Sequence, residues 1–139
     1  NQGKLERAMS VASEIKNLEI RSHSYISICK FLLKNGCRKQ AEIIAEKQEL
    51  NEQFSETYSM ALIKQGEIDE ALNVVSNITN EYLKNYIYNK IAMKLMLMGR
   101  EEKVISVNLL IKDNWWETEF YTQKAINIIN RRYKARRQI

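Results

Sequence analysis

The chain has 139 residues, of which 45% are apolar and 28% charged, and a net charge of +5; this globular balance needs no second domain. Its longest apolar stretch is interrupted by Lys94 and is too short to cross a bilayer, and its start carries no secretory signal. One histidine and two cysteines in unlike settings argue against a zinc site, so we expect no metal, no cofactor, and reduced thiols suited to a cytoplasmic location.

Four glycines recur every 30 to 33 residues, and each begins a copy of one pattern. A small or β-branched apolar residue comes five positions after the glycine, and another apolar residue comes eight positions after it. The first set is Ala8, Ala41, Ala71 and Val104, and the second is Val11, Ile44, Val74 and Val107. A repeat of this length is typical of a solenoid in which each unit is one helical hairpin.

Between the glycines, apolar residues recur at intervals of three and four, which predicts amphipathic helices and no strand. In chain order the predicted helices are 4–17, 19–34, 37–49, 51–64, 67–79, 81–98, 100–112 and 115–134. Asn51, Asn77, Thr79 and Asn80 are expected to cap helices or form turns, and the glycines are expected to end helices in the left-handed conformation.

The first helix of each predicted hairpin has matched positions when it is aligned on the glycines. A large aromatic residue is followed by a large apolar one, then a small one, then another large apolar one, so that two helices approach closely at the small residue. The aromatic position is Tyr25, Tyr88 and Tyr121; the next is Ile28, Tyr58 and Ile91; the small position is Cys29, Ser59, Ala92 and Ala125; the last is Leu32, Leu62, Leu95 and Ile128.

These positions resemble the tetratricopeptide repeat over nearly the whole chain, as in the copy that runs from Tyr25 through Gly36 to Ala41. The chain departs from that family in having no proline, no glycine at the small position and a shorter period. A pentatricopeptide repeat fits less well because its period is stricter. The resemblance implies an all-α fold, a right-handed α-solenoid of about eight helices paired as antiparallel hairpins, forming a single domain over 1–139.

The chain begins without methionine and within a hairpin, so we expect it to be a fragment of a longer protein. On that reading Ala8, Val11, Ala12 and Ile15 lack the helix that should cover them and form an apolar patch.

The resemblance implies that the first helices line a concave face that binds another protein, as a peptide or a helix. The residues expected there are His23, Lys30, Met60, Tyr86, Asn89 and Met93. The family's carboxylate clamp is absent, since the matching positions hold Ile26, Thr57 and Tyr86. Methionine adapts to irregular apolar partners, which favours an amphipathic helix. The alternative is that Met93 and Leu97 are core residues, because 81–98 is apolar on almost every side.

Two adjacent tryptophans stand at the last predicted connection. Trp116 aligns with Ile20 and Leu83 and is expected in the core, whereas Trp115 is a candidate exposed anchor for a partner.

The segment 131–139 is a predicted basic tail with five cations and no acid: Arg131, Arg132, Lys134, Arg136 and Arg137. The rest of the chain carries as many basic as acidic residues, so a nucleic-acid groove along the helices is not indicated. The tail is open to four interpretations: binding of RNA, of an anionic membrane surface or of a nuclear import receptor, or a solvated helix end.

Catalysis is not indicated, because His23 has no accompanying nucleophile motif, metal-ligand pair or phosphate-binding glycine loop. The sequence therefore predicts a non-enzymatic scaffold for protein interactions without a small-molecule substrate. The alternative is a nucleic-acid-associated repeat protein that binds through its tail. A third possibility is a structural spacer inside a longer solenoid, which packs only on its own flanking repeats.

Overall fold

The computed structural model of the protein describes residues 2–112 and 116–137. Within them the fold is all-α, with eight helices and no strand. The helices are α1 (Gln2–Ser13), α2 (Leu18–Lys34), α3 (Arg38–Lys47), α4 (Asn51–Gln65), α5 (Ile68–Ser76), α6 (Glu81–Leu97), α7 (Glu101–Asn108) and α8 (Trp116–Arg137). The predicted order of helices is confirmed, and the ends differ by a few residues.

Contacts along the chain form two compact units, Asn1–Ala61 and Leu62–Ile139, and each is described by itself. In the first unit α2 packs against α1 and α3. In the second, α6 packs against α5, α7 and α8, and α7 also packs against α8. The single domain over 1–139 stays a prediction.

The start of α4 is held against α3 by an aromatic contact in the first unit. The guanidinium carbon of Arg38 lies 4.6 Å from the centre of the Tyr58 ring, and Phe54 stacks on the same ring with centroids 5.9 Å apart. A cation over an aromatic face adds a modest attraction to the area that the ring buries. These contacts fix the side of α4 that carries Tyr58.

Three helices end at glycines in the left-handed conformation, as predicted: Gly36, Gly66 and Gly99 have φ of 76°, 80° and 70°. The residue after each glycine donates its N–H to the carbonyl of the leucine at the last matched position of the preceding helix. The distances are 2.8 Å for Cys37 to Leu32, 2.9 Å for Glu67 to Leu62 and 2.9 Å for Arg100 to Leu95. This is the Schellman arrangement, which satisfies carbonyls that the helix end leaves open.

The connection between α3 and α4 uses the same arrangement without a glycine. Glu49 has φ of 57°, and the N–H of Leu50 donates to the carbonyl of Ala45 at 2.8 Å. A side chain in this conformation costs about 1 kcal/mol. The sequence analysis did not predict this turn, because it looked for left-handed residues only at glycines.

Two asparagines cap α2 and α6, the two helices of 17 residues. The side-chain oxygen of Asn80 accepts the N–H of Leu83 at 3.0 Å, as predicted, and Asn17 accepts the N–H of Ile20 at 3.0 Å in the same way. Such a cap stabilises a helix by about 1 kcal/mol. The sequence analysis did not predict the cap at Asn17, because it placed this residue at the end of the preceding helix.

The predicted small positions are fully buried. Cys29, Ser59, Ala92 and Ala125 are all 0% exposed, as are Ala41, Ala71 and Val104 of the glycine pattern. Burial raises the pKa of the Cys29 thiol to about 11, so the thiol stays protonated at neutral pH. The spacing argument for close helix approach is therefore matched by the observed burial.

Candidate functional site

A groove with a volume of about 790 Å³ runs between α2 and α4 in the first unit. We call it the α2–α4 groove. The first wall consists of Asn17, Leu18, Glu19, Ser22, His23, Ile26 and Lys30, and the second of Gln53, Glu56, Thr57 and Met60. Three predicted partner residues, His23, Lys30 and Met60, therefore line one groove.

Helical spacing explains why these residues share a groove. On each helix the lining positions recur at three and four residues, which places them along one side. Asn17 caps α2, so the helix begins at Leu18 and its first turn is part of the groove wall. The sequence analysis identified this side as the one opposite the matched packing positions, but it did not predict Asn17, Leu18, Glu19 or Ser22 there.

The groove has an apolar interior and polar edges. Ile26, Thr57 and Met60 are half-buried, whereas His23 and Lys30 are exposed. Leu18 also lines the groove and is 67% exposed, an unusual state for a large aliphatic side chain. This arrangement suits a ligand that presents apolar groups inward and polar groups outward.

The imidazole of His23 is oriented by its own helix. Its Nδ1 lies 3.1 Å from the carbonyl oxygen of Glu19. A carbonyl can only accept, so Nδ1 carries the hydrogen and donates it, which leaves Nε2 as the acceptor of the neutral ring. The groove therefore contains an oriented nitrogen that can accept a hydrogen bond from a ligand.

The charged groups of the groove are of both signs. Glu19, Lys30 and Glu56 line it, and no ion pair joins them to other side chains in the part of the chain that the structure describes. Partner charges can therefore reach them without breaking an internal contact. Mixed charge fixes the orientation of a bound segment more than it adds affinity.

The remaining predicted partner residues on α6 belong to the second unit. Met93 is 38% exposed and Leu97 is 84% exposed, so the alternative that they are core residues is wrong. Tyr86 is half-buried, with the Lys90 ammonium 5.2 Å from its ring centre. The helix is not buried on every side, since Tyr82 is also 71% exposed.

Asn89 is not on the exposed side of α6 that the prediction assumed. It is 4% exposed, and its side-chain oxygen accepts a hydrogen bond from the Thr118 hydroxyl of α8 at 3.5 Å. Its neighbour Asn85 is also buried, and its side-chain oxygen accepts the N–H of Lys112 at 3.4 Å. Both asparagines satisfy packing contacts of the second unit, which corrects the assignment of Asn89 as an exposed residue.

The predicted basic tail is helical through Arg137, because α8 continues to that residue. Arg132 forms a two-pronged ion pair with the buried carboxylate of Glu101, at 2.8 and 3.3 Å. The Arg137 guanidinium lies 4.9 Å from the centre of the Tyr133 ring. Arg131, Lys134 and Arg136 are exposed. Arg132 is thus part of the packing of α7 on α8 rather than of a free tail.

Other predictions fall outside the described residues. Trp115, the candidate anchor, lies there, and so does the side chain of Trp116. Among the residues that the structure describes, no cluster of histidine, cysteine or acidic side chains is placed to hold a metal ion. No helix in the same residues has the length and apolar character that a membrane crossing requires.

The chain was compared with protein families, curated proteins and solved structures. No family model, no curated protein and no solved structure matches it.

Proposed function

We propose that the protein is a non-enzymatic interaction scaffold with a tetratricopeptide-like architecture, and that the α2–α4 groove binds an amphipathic peptide or helix. The single observation that carries the proposal is that α2 and α4, the first helices of two successive copies, line one groove with an apolar interior and charged edges.

Local features support the repeat architecture. The helices α2 and α3 are joined by three residues and pack together, as do α6 and α7, which is the form of an αα-hairpin. The small positions are fully buried in four helices. In the proposed architecture such hairpins stack in a right-handed solenoid, and their first helices line the concave side.

The groove indicates the chemistry of its ligand. Apolar side chains of the peptide pack on Ile26, Thr57 and Met60, a carboxylate of the peptide faces Lys30, and a cation faces Glu19 or Glu56. The apolar contacts supply most of the affinity, and the charges set direction.

Peptide selection with a single groove substitution tests the proposal. Peptides are first selected from a random displayed library on the purified chain, which has been treated with nuclease. The Kd of each selected peptide is then measured for the wild type and for Met60→Lys. We expect the substitution to raise Kd by about tenfold or more, because an ammonium would have to be desolvated in the apolar interior. Met98→Lys is the matched control, since Met98 is 40% exposed and does not line the groove.

Equal binding by the wild type and Met60→Lys would overturn the proposal. If no peptide is selected and binding of RNA is found that weakens steeply with salt and is lost on removal of 131–139, the nucleic-acid alternative replaces it. That alternative rests on the exposed cations Arg131, Lys134 and Arg136.

A further inference from the structure

Two charges of the α2–α4 groove stand at positions that are uncharged in the other copies of the repeat pattern. Counted from the buried small position, Glu56 is three residues before it and Lys30 is one residue after it. The residues that match Glu56 are Ile26, Asn89 and Thr122, and those that match Lys30 are Met60, Met93 and Ile126. The packing of the repeat therefore does not account for either charge.

Glu56 is the least exposed of the three charged residues that line the groove. It is half-buried beside Thr57 and Met60, whereas Glu19 and Lys30 are exposed. Its carboxylate has no ion pair and no hydrogen-bond donor among the side chains that the structure describes. A carboxylate that is partly withdrawn from water gains more from a cation than a fully exposed one does. Glu56 therefore favours a ligand cation in the groove.

The two ends of the groove offer different groups to a ligand. Towards the start of α2 lie the carboxylate of Glu19 and the acceptor nitrogen of His23, whose other nitrogen donates to its own helix. Towards the other end lies the ammonium of Lys30, which can only donate. The groove is therefore polar along its length, with acceptors at one end and a cation at the other.

The connections of the first unit give the spacing of Glu56 and Lys30 along the groove. Three residues join α2 to α3 and three join α3 to α4, so neighbouring helices are antiparallel and α2 and α4 run in the same direction. Matched positions of α2 and α4 are then at the same height, which places Glu56 beside Ile26. Ile26 is four residues before Lys30, a distance of about 6 Å along the helix axis.

This spacing defines the ligand that fits. A cation and a carboxylate about 6 Å apart on one side of a peptide are four residues apart in a helix or two residues apart in an extended chain. Such a peptide can face Glu56 with its cation and Lys30 with its carboxylate at the same time. The reverse placement would bring like charges together at both positions.

We propose that the α2–α4 groove selects a peptide with a lysine or arginine and an acidic residue on one side, whose cation pairs with Glu56 and whose carboxylate pairs with Lys30. Glu56 and Lys30 are then the residues that determine specificity, and they set the direction in which the peptide lies. This inference rests on the proposed function, because it needs a peptide in the groove, whereas apolar binding at Met60 does not need these two pairs.

A double-mutant cycle between the groove and a peptide tests the pair at Glu56. The probe is the tightest peptide selected on the full chain, and its partner is the same peptide with norleucine in place of the basic residue. Calorimetry gives the Kd of both peptides for the wild type and for Glu56→Gln. We expect each single change to raise Kd about fivefold, and both changes together to raise it no further, because they remove the same contact.

Charge exchange tests both pairs and the direction of the peptide. The double variant Lys30→Glu, Glu56→Lys keeps the net charge, and we expect it to raise the Kd of the probe about tenfold or more. A peptide with its basic and acidic residues interchanged should bind this variant more tightly than it binds the wild type. The matched control is Lys34→Glu, Glu52→Lys, since both residues are exposed, lie one turn from the pair on the same two helices and do not line the groove.

The other outcomes overturn the inference, and they separate it from the proposed function. If peptides lose affinity for Met60→Lys but bind Glu56→Gln as tightly as the wild type, the pairing is wrong and the proposed function stands. If no peptide is selected, both fail. Additive losses in the cycle would mean that Glu56 acts on the shape of the groove, and an equal loss in the control variant would mean that only the overall charge distribution attracts the peptide.

Discussion

Helices α2 and α6 have matching residues at the same positions of the repeat pattern, but they differ in how many of their residues are buried. Both have 17 residues, an asparagine cap and a tyrosine, a small residue and a leucine at matched positions. In α2 only Tyr25, Cys29 and Leu32 are buried. In α6 these positions are buried together with Asn85, Ile87, Asn89 and Ile91.

The two helices also differ in the contacts that the structure describes for them. Helix α6 packs against α5, α7 and α8, and its buried asparagines form hydrogen bonds to α8 and to the segment before it. Helix α2 packs against α1 and α3, and another of its sides lines the α2–α4 groove. The residues at the matched positions are therefore buried in both helices, whereas the burial of the other residues differs between them.

The largest expected effect on stability comes from truncating the isoleucine at one matched position in each of the two helices. Ile91 is 0% exposed and Ile28 is half-buried at the equivalent position. Ile91→Ala should lower the free energy of unfolding by about 3 to 4 kcal/mol through lost burial and a residual cavity, and Ile28→Ala by about 1 kcal/mol. Urea unfolding followed by circular dichroism measures both.

Equal losses for the two variants would contradict the comparison, because they would mean that Ile28 is covered in solution.

An intermediate effect is expected at the ion pair between α7 and α8, two neighbours of α6. Arg132→Ala leaves the Glu101 carboxylate, which is 3% exposed as a residue, without its partner. We expect a loss of about 2 kcal/mol, since an uncompensated buried charge is costly and the arginine is half-exposed. Thermal unfolding of Arg131→Ala, at an exposed cation next to it, is the control and should change by less than about 0.5 kcal/mol.

A result in which both arginine variants lose equal stability would mean that the basic segment acts through its total charge. If neither loses stability but both lose RNA binding, the segment is a nucleic-acid contact rather than a packing element.

The smallest effect is expected at the exposed ion pair of Asp69 and Lys103, which joins α5 to α7. The hydrogen bond and charge of Lys103 lower the pKa of Asp69 below its ordinary 3.8. A carboxyl whose pKa is lowered on folding stabilises the folded state above its unfolded pKa, and this stability is lost as pH falls through the folded pKa.

Asp69→Asn should therefore remove part of the stability difference between pH 5 and pH 2 and leave the rest of the pH profile unchanged. Because the carboxylate is exposed, the change should be close to the limit of detection in acid titrations of unfolding. A large change at neutral pH would contradict the assignment of this pair as a surface contact.

The sequence predicted those features that depend on residues close together in the chain. Helix order, the left-handed glycines and the buried small positions follow from spacing and backbone conformation. The side of α2 that lines the groove follows from the same periodicity. These features need no knowledge of which helices meet.

The features that it missed depend on distant partners. Asn89 is buried because α8 packs against α6, and its own helix has little amphipathic contrast that would have indicated this side. The ion pair of Glu101 with Arg132 joins residues about thirty positions apart, and no local signal links them. Burial of individual residues was therefore less predictable than the helices themselves.

The turn at Glu49 has a consequence for how related chains are recognised. It closes α3 with the same Schellman hydrogen bond that the glycines provide elsewhere, although its residue carries a side chain. At Gly36 nothing lies within 4 Å of the place a side chain would begin, so only backbone strain of about 1 kcal/mol opposes replacement. Substitution over time could thus erase the glycine spacing while the helices persist. The buried small residues, which have no such freedom, are the more durable signature of this architecture.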